Sequence, residues 1–465
     1  MNQTKNSITE KCDFGDQRLT KRAMFIESRL SLKYGKPLSA IFERASDLKR
    51  AYEFFANAKT SLTSVCEPYY LQTTDQIKEL PIVLVVGDTS YLDYKKIVEK
   101  REEYGPIGNG GNGLILHSAL AVNADNGQPM GLLWSKLWHR EHQEKTVKKT
   151  KKQKQKQRAE ARKRPIEEKE SYKWIEALQE VQKLLSSAQL STISSKIIHV
   201  FDREGDMAEV FQFVSQTGNT GVVVRAAHNR AIEGEDSYLW QWLPSQPIKM
   251  EVAVELPKTK KRSEHQAKLA IRYAPIKLRS PARIKEQEYF EVYGVYAVET
   301  DPPEGCEPVE WMLLTTEPVT NHIEAQTILR WYTYRWRIEE YHKILKSGCK
   351  AESYRLAGDS MPVLFGFLSQ IAAQLLKMTY VNRTNPETSA KEVFNEVQIE
   401  VLVAKEGKPL TTVDLTVAWG IQAVARLGGY LSHRRKSNIG ITVLWRGFLE
   451  LQSLCEGWQL RSNLQ

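Results

Sequence analysis

The spacing of apolar and polar positions divides the chain into three stretches. From Cys12 to about Ala58, DFGDQRLTKRAMFIESRLS and ASDLKRAYEFFANA carry apolar residues at helical intervals with basic residues between them, which predicts a small helical module. A polar stretch closes it near Leu80. PIVLVVGDTSYLDY then predicts a buried strand that stops at Gly87 and Asp88, leaving the acid at its end. GLILHSALAVN and GLLWSKLWHR predict two more strands, and YKWIEALQEVQKLLSSAQ an amphipathic helix. SSKIIHVFDREGDM predicts a strand ending at Asp202, and TGVVVRAAHNR a fifth strand.

A hairpin-built sheet beside a crossover helix argues for an α/β core. From about His228 to Val319 the pattern changes to alternating segments, MEVAVEL, AKLAIRYAPI, YFEVYGVYAVE and EWMLLTTEPV, which predict a β-rich insertion. One helix is predicted from about His322 to Ser347, and the rest is mostly helical, with a polar connection near Lys405 to Thr412. The expected division is 1–79, 80–360 with its insertion at about 228–319, and 361–465. No internal repeat is visible.

Composition narrows the class. The chain has 465 residues, 41% of them hydrophobic and 26% charged, which fits a folded multidomain protein and excludes a disordered, collagen-like or disulfide-dense one. MNQTKNSITEKC lacks the apolar core of a signal peptide, and no stretch reads as long and apolar enough to cross a bilayer, so no membrane association is expected. Cys12, Cys66, Cys306, Cys349 and Cys455 are odd in number and include no Cys-x-x-Cys pair, so neither a disulfide framework nor a structural zinc site is indicated. They fit a reducing cytoplasm. Lys145 to Arg164 contains eleven Lys or Arg against the single acid Glu160, an excess equal to the net +10 of the whole chain. Such a segment is either a solvated basic face or a sequence-independent phosphate binder.

Several candidate sites fall away on their context. Gly108, Gly110 and Gly113 form a G-x-G-x-x-G pattern, but a strand follows instead of the helix a dinucleotide fold requires, so a hairpin turn is expected. His139 and His142 have neither an H-E-x-x-H helix nor a cysteine partner, which leaves solvated histidines. No G-x-S-x-G elbow or G-K-[ST] phosphate loop is present.

Asp88 and Asp202 remain. A carboxylate following an apolar strand sits at the sheet's edge, where it can hold a hard cation such as Mg²⁺ or simply cap a turn. In ILRWYTYRWRIEEYHKILKSG, the residues Arg335, Glu339 and Lys346 follow Tyr332 at offsets of 3, 7 and 14. At about 100° per residue all four fall within roughly 60° of one another, while Glu340 lies off that face. One reading is an exposed helix face laced by an Arg335 to Glu339 pair. The other, with the two aspartates, is a three-carboxylate metal site flanked by phosphate-binding groups.

The blocks VVGDTSYLDY, VFDREGDM and Tyr332-x-x-Arg335-x-x-x-Glu339-x-x-x-x-x-x-Lys346 together resemble the signatures of the insertion-sequence-four class of bacterial DDE transposases. DFGDQRLTKR, WMLLTTEPV, AWGIQAVARLGGYLSHRR and LWRGFLELQS extend the resemblance over nearly the whole chain. It implies an RNase-H-like catalytic core interrupted by a β-rich insertion, an N-terminal helical domain that binds transposon ends and a C-terminal helical dimerisation domain. It implies a cut-and-paste transposase acting on double-stranded DNA, terminal repeats and target alike, as a homodimer, through a hairpin intermediate. Asp88, Asp202 and Glu339 would hold two Mg²⁺ ions, with Mn²⁺ able to substitute. Tyr332, Arg335 and Lys346 would grip end phosphates, Trp311 would stack on a flipped base, and Arg225 and Arg355 resemble further DNA contacts. The basic stretch departs from the class, whose best-known member is shorter and acidic there. A DNA-binding regulator without catalysis and a structure-selective nuclease on the same fold are the alternatives.

Overall fold

Helix formation begins where the sequence supplies a cap: the Asp16 side chain accepts from Arg18 N at 2.9 Å and opens α1 (Gln17–Lys33), which buries Ala23, Ile26 and Leu30 along one stripe. A single turn, α2 (Leu38–Ile41), leads to α3 (Ala45–Phe55) and α4 (Leu62–Ile77). This computed structural model describes residues 7–95, 101–108, 110–142, 160, 164–187, 195–256, 265–407, 415–431 and 439–462. All of the basic stretch except Glu160 and Arg164 lies outside the described residues.

The strands are β1 (Ile82–Asp93), β2 (Gly105–Pro106), β3 (Asn112–Asn123), β4 (Pro129–Trp138), β5 (Lys196–Phe201) and β6 (Thr220–Arg225). They are followed by β7 (Met250–Leu256), β8 (His265–Arg279), β9 (Tyr289–Glu299) and β10 (Glu310–Thr315). The helices among and after them are α5 (Tyr172–Leu185), α6 (Ala208–Gln216), α7 (Leu239–Ser245), α8 (His322–Tyr334), α9 (Trp336–Lys343) and α10 (Ser360–Thr384). The last three described are α11 (Glu396–Glu406), α12 (Val417–Leu427) and α13 (Ile441–Ser462).

All the strands join one mixed sheet in the order β2-β3-β1-β5-β6-β10-β9-β8-β7, with β4 also on β3. β1 is antiparallel to β3 and parallel to β5, and β5 is parallel to β6. The glycine-rich segment is a hairpin turn, as its context required: β2 pairs antiparallel with the start of β3.

Two expectations are corrected. β1 does not stop at Asp88 but runs on to Asp93, because β3 is long enough to pair with it over its whole length, Asp88 opposite Ser118 and Asp93 opposite Gly113. The segment grouped with the insertion as EWMLLTTEPV is instead a central strand: β10 pairs with β6, Leu313 opposite Arg225, and carries β9, β8 and β7 on its other edge. The β-rich segment is therefore an extension of the same sheet, since an antiparallel strand satisfies the open edge of β6.

The apolar core crosses the expected boundaries. One cluster joins Ile26 and Leu30 of α1, Leu84 and Val86 of β1, Tyr341 of α9, Leu364 and Leu368 of α10 and Trp445 of α13. Tyr34 Oη donates to Trp445 O at 2.9 Å, tying the N-terminal helices to the last one. A second cluster packs Trp174, Phe201 and Phe211 beneath α5 and α6. Contrary to the hydropathy reading, α10 is long and apolar enough to span a bilayer, and 78% of its apolar window is buried, α10 packing against α4 and β4.

Candidate active site

Two parallel strands set the first two acids side by side. The register of β1 and β5 pairs Val86 with Val200, and the same offset carried two residues further sets Asp88 level with Asp202. Gly87 makes this approach possible, because an added Cβ there would lie 2.7 Å from the Phe201 ring and 3.3 Å from Trp174. Gly87→Ala is expected to cost about 1–3 kcal/mol through overpacking beside Asp88. Denaturant unfolding checks it, and an unchanged midpoint would show that the rings yield freely.

Asp202 directly follows β5 and caps a short turn, accepting from Glu204 N at 2.8 Å. Burial, seconded by the charge of Asp88, raises the Asp202 carboxyl above its ordinary value against that hydrogen bond. Burial also pushes Asp88 upward, but the neighbouring His342, together with the charge of Arg335, holds it below the ordinary carboxylate value. His342 is buried, with Nδ1 3.6 Å from Asp88 Oδ2. Sequence reasoning missed His342; its signal was its place one helical turn after Glu339.

Glu339 approaches from α9, which packs on β1. The single helix expected here is broken. α8 ends at Tyr334, Arg335 N donates to Tyr332 O and Ile338 N to Arg335 O in tight i to i+3 bonds, and a π-helical turn, Ile344–Gly348, follows α9. An even 100° per residue therefore does not hold from Tyr332 to Lys346. Nor is the face exposed: Tyr332 and Arg335 are buried. Glu339 Oε1 accepts from Arg335 Nη2 at 2.6 Å. Among the described residues no three His, Cys, Asp or Glu side chains converge as a metal-ligand set. The expected three-carboxylate cluster is thus two acids plus a third held by an arginine. Its donors are carboxylate oxygens, which fit a hard divalent cation. Glu340 lies off this set, as expected, and accepts from the Tyr380 hydroxyl.

The other predicted residues fall into two groups. Trp311, half-buried on β10, meets Tyr332 edge to face with ring centroids 5.7 Å apart. Arg225, at the end of β6, donates to Glu310 O at 2.8 Å and interacts with the Tyr332 hydroxyl. Tyr332 in turn lies beside Arg335 and within electrostatic reach of Asp202. Lys346 and Arg355 line a cavity of about 280 Å³ with Lys95, Lys350, Asp93 and Glu352. Lys346 Nζ donates to Tyr91 O at 2.7 Å and pairs with Glu352 at 3.2 Å, while Glu352 also accepts from Asp93 N.

The second aspartate of the D-R-E-G-D block is structural. The Asp206 side chain is fully buried and accepts from Ala227 N at 2.7 Å, His228 N at 3.1 Å and Arg230 Nη1 at 2.5 Å. It fixes the loop that follows Arg225.

The strand order β4-β3-β1-β5-β6, with its parallel and antiparallel senses and two level acids at the centre, defines an RNase-H-like catalytic core. Residues 130–372, more than half of the chain, match the family described as transposase DDE domain, and residues 2–60 match transposase DNA-binding. The chain belongs to the DDE transposase family, and its partner is DNA. Asp202 and Glu339 lie inside the matched region, and Asp88 precedes it. Enzymes with this domain use divalent metal ions.

Proposed function

We propose that this is a cut-and-paste transposase of the insertion-sequence-four class, similar to the transposase of transposon five. The observation that carries this reading is that Asp88 and Asp202 lie level on neighbouring strands and share Arg335 with Glu339, with Tyr332 beside that arginine. Two Mg²⁺ ions held by Asp88, Asp202 and Glu339, replaceable by Mn²⁺, would supply activation of the attacking oxygen and stabilisation of the leaving one in an in-line displacement at phosphorus. Tyr332 and Arg335 bind the end phosphate beside them, the guanidinium suiting two phosphate oxygens at once. Lys346 and Arg355, in a cavity where Lys95 and Lys350 leave an excess of cations over Asp93 and Glu352, meet the DNA backbone.

The sequence of steps is hydrolysis of one strand, attack of the released 3′ hydroxyl on the opposite strand to form a hairpin, reopening by hydrolysis, and joining to target DNA. All four are the same displacement with different nucleophiles, so one site serves them. Trp311 takes a flipped base, relieving the tight hairpin by restoring the lost stacking. The helices of α1 to α3 bind the terminal repeats, presenting the exposed Arg18, Lys21, Lys49 and Arg50. The C-terminal helices pair two copies as a homodimer, and the protein works in the cytoplasm on nucleoid DNA without a membrane partner. Five free cysteines are consistent with that compartment.

The test is incubation with Mg²⁺ and a labelled duplex carrying the terminal repeat of its own element. Nicks, hairpins and, with target DNA added, joined products are expected. Cutting without joining would leave a nuclease, and binding without cutting in Mg²⁺ or Mn²⁺ a regulator. Trp311→Ala is expected to keep the first nick and lose hairpin by about tenfold, as for losing about 1–3 kcal/mol of stacking. Equal loss of nick and hairpin would show instead that Trp311 only supports Tyr332.

A further inference from the structure

We propose that Arg335 is the protein's own counter-cation for the acidic cluster, and that it gives way to a divalent metal ion only when a DNA phosphate takes up its guanidinium. Metal ions and end DNA then bind cooperatively. The proposal rests on the reading of Asp88, Asp202 and Glu339 as the metal ligands.

Four observations carry it. Arg335 is only 8% exposed, a placement that is costly for a cation unless neighbouring anions offset it. Those anions are the candidate ligands: Glu339 Oε1 lies 2.6 Å from Nη2, and Asp88 and Asp202 both interact electrostatically with the same guanidinium. Its Nε is buried with no hydrogen-bond partner among the described residues, so the acids leave part of the donor fork free. Finally, Arg335 sits at the break between α8 and α9, with Tyr332 and Trp336 rings flanking it at 5.9 and 5.2 Å. Short side-chain motions at such a break re-aim a guanidinium without moving Glu339.

The competition follows from chemistry. An oxygen of Glu339 engaged by Arg335 is poorly available to a metal ion, and a metal ion placed among the acids repels the guanidinium. A phosphate oxygen pair is the partner that draws Arg335 away, since it satisfies the fork bidentately. Linkage then requires that if end DNA tightens metal binding by some factor, metal tightens end binding by the same factor. A transposase built this way holds its metal ions poorly until an end is seated, which limits cutting of unrelated DNA.

The test measures Mn²⁺ binding to the full-length protein by the electron paramagnetic resonance signal of free Mn²⁺, with and without a pre-cleaved end duplex carrying a 3′-dideoxy terminus. Without DNA, Arg335→Gln is expected to bind Mn²⁺ about tenfold or more tighter than wild type, a shift of ~1.4 kcal/mol. The duplex should tighten wild type by a comparable factor and Arg335→Gln far less. Arg335→Lys, which keeps the charge, should stay near wild type without DNA, a result that a folding defect at this position would not give. Arg337→Gln, which removes a nearby charge that bonds to Gly127 O and stacks on Tyr380, should leave Mn²⁺ affinity unchanged. Equal Mn²⁺ affinity of wild type and Arg335→Gln without DNA overturns the proposal, as does a wild type indifferent to the duplex. An Arg337→Gln gain equal to that of Arg335→Gln also overturns it in favour of a general field effect. If Glu339→Gln binds Mn²⁺ like wild type under both conditions, the ligand assignment itself fails, and the proposal with it.

Discussion

Glu339→Ala is expected to bind a terminal-repeat duplex at least as well as wild type and to lose cleavage by about 10³-fold or more, equivalent to ~4 kcal/mol of transition-state stabilisation. Binding is expected to survive because the helices in the region matched as transposase DNA-binding, residues 2–60, do not include the acids. It can even improve, because the substitution releases Arg335 from its 2.6 Å pair for a phosphate. Gel shift and denaturing cleavage gels on the same duplex read the two effects separately. Asp88→Asn and Asp202→Asn are expected to behave alike. A Glu339→Ala protein that cuts within tenfold of wild type would remove Glu339 from the catalytic set.

Asp206→Ala is the substitution expected to cost most stability, about 3–5 kcal/mol, because it leaves a largely buried arginine without its anion. Two backbone N–H donors, those of Ala227 and His228, lose their acceptor as well. Arg230→Ala is destabilising for the converse reason, and the double substitution should cost less than the sum of the two. Thermal or denaturant unfolding of the four proteins completes the cycle. A cost below about 1 kcal/mol for Asp206→Ala would mean that the loop after β6 is held by other contacts. Mn²⁺ binding by a folded Asp206→Asn protein should match wild type, separating this acid from Asp202 four residues before it.

The helical N-terminal segment, the central strands and the crossover helix α5 were readable from periodicity, because a buried strand and an amphipathic helix each need a distinct apolar spacing. Asp88, Asp202 and Glu339 stood out as acids beside apolar runs and on a patterned helix, and β1 and β5 do set the first two level. The length of β1 past Asp88 was not readable, since it depends on a partner, β3, that pairs with it over its whole length. Nor was the position of β10, whose alternating pattern is the same whether it pairs within an insertion or against β6. His342 and Asp206 looked like ordinary polar residues, because their roles come from partners brought in by other elements.

The primary structure alone carried the class of the molecule and the identity of its acids, since apolar periodicity and short-range spacing are local properties of the chain. Where the charges sit relative to one another emerged only on folding. The break at Arg335 and the π turn after α9 depart from a regular helical wheel, and on folding Arg335 meets the acids while Lys346 bonds Tyr91 O and Glu352. The Asp206–Arg230 pair and the registers of β1 with β3 and β5 depend on partners from other elements, and no local pattern encodes them.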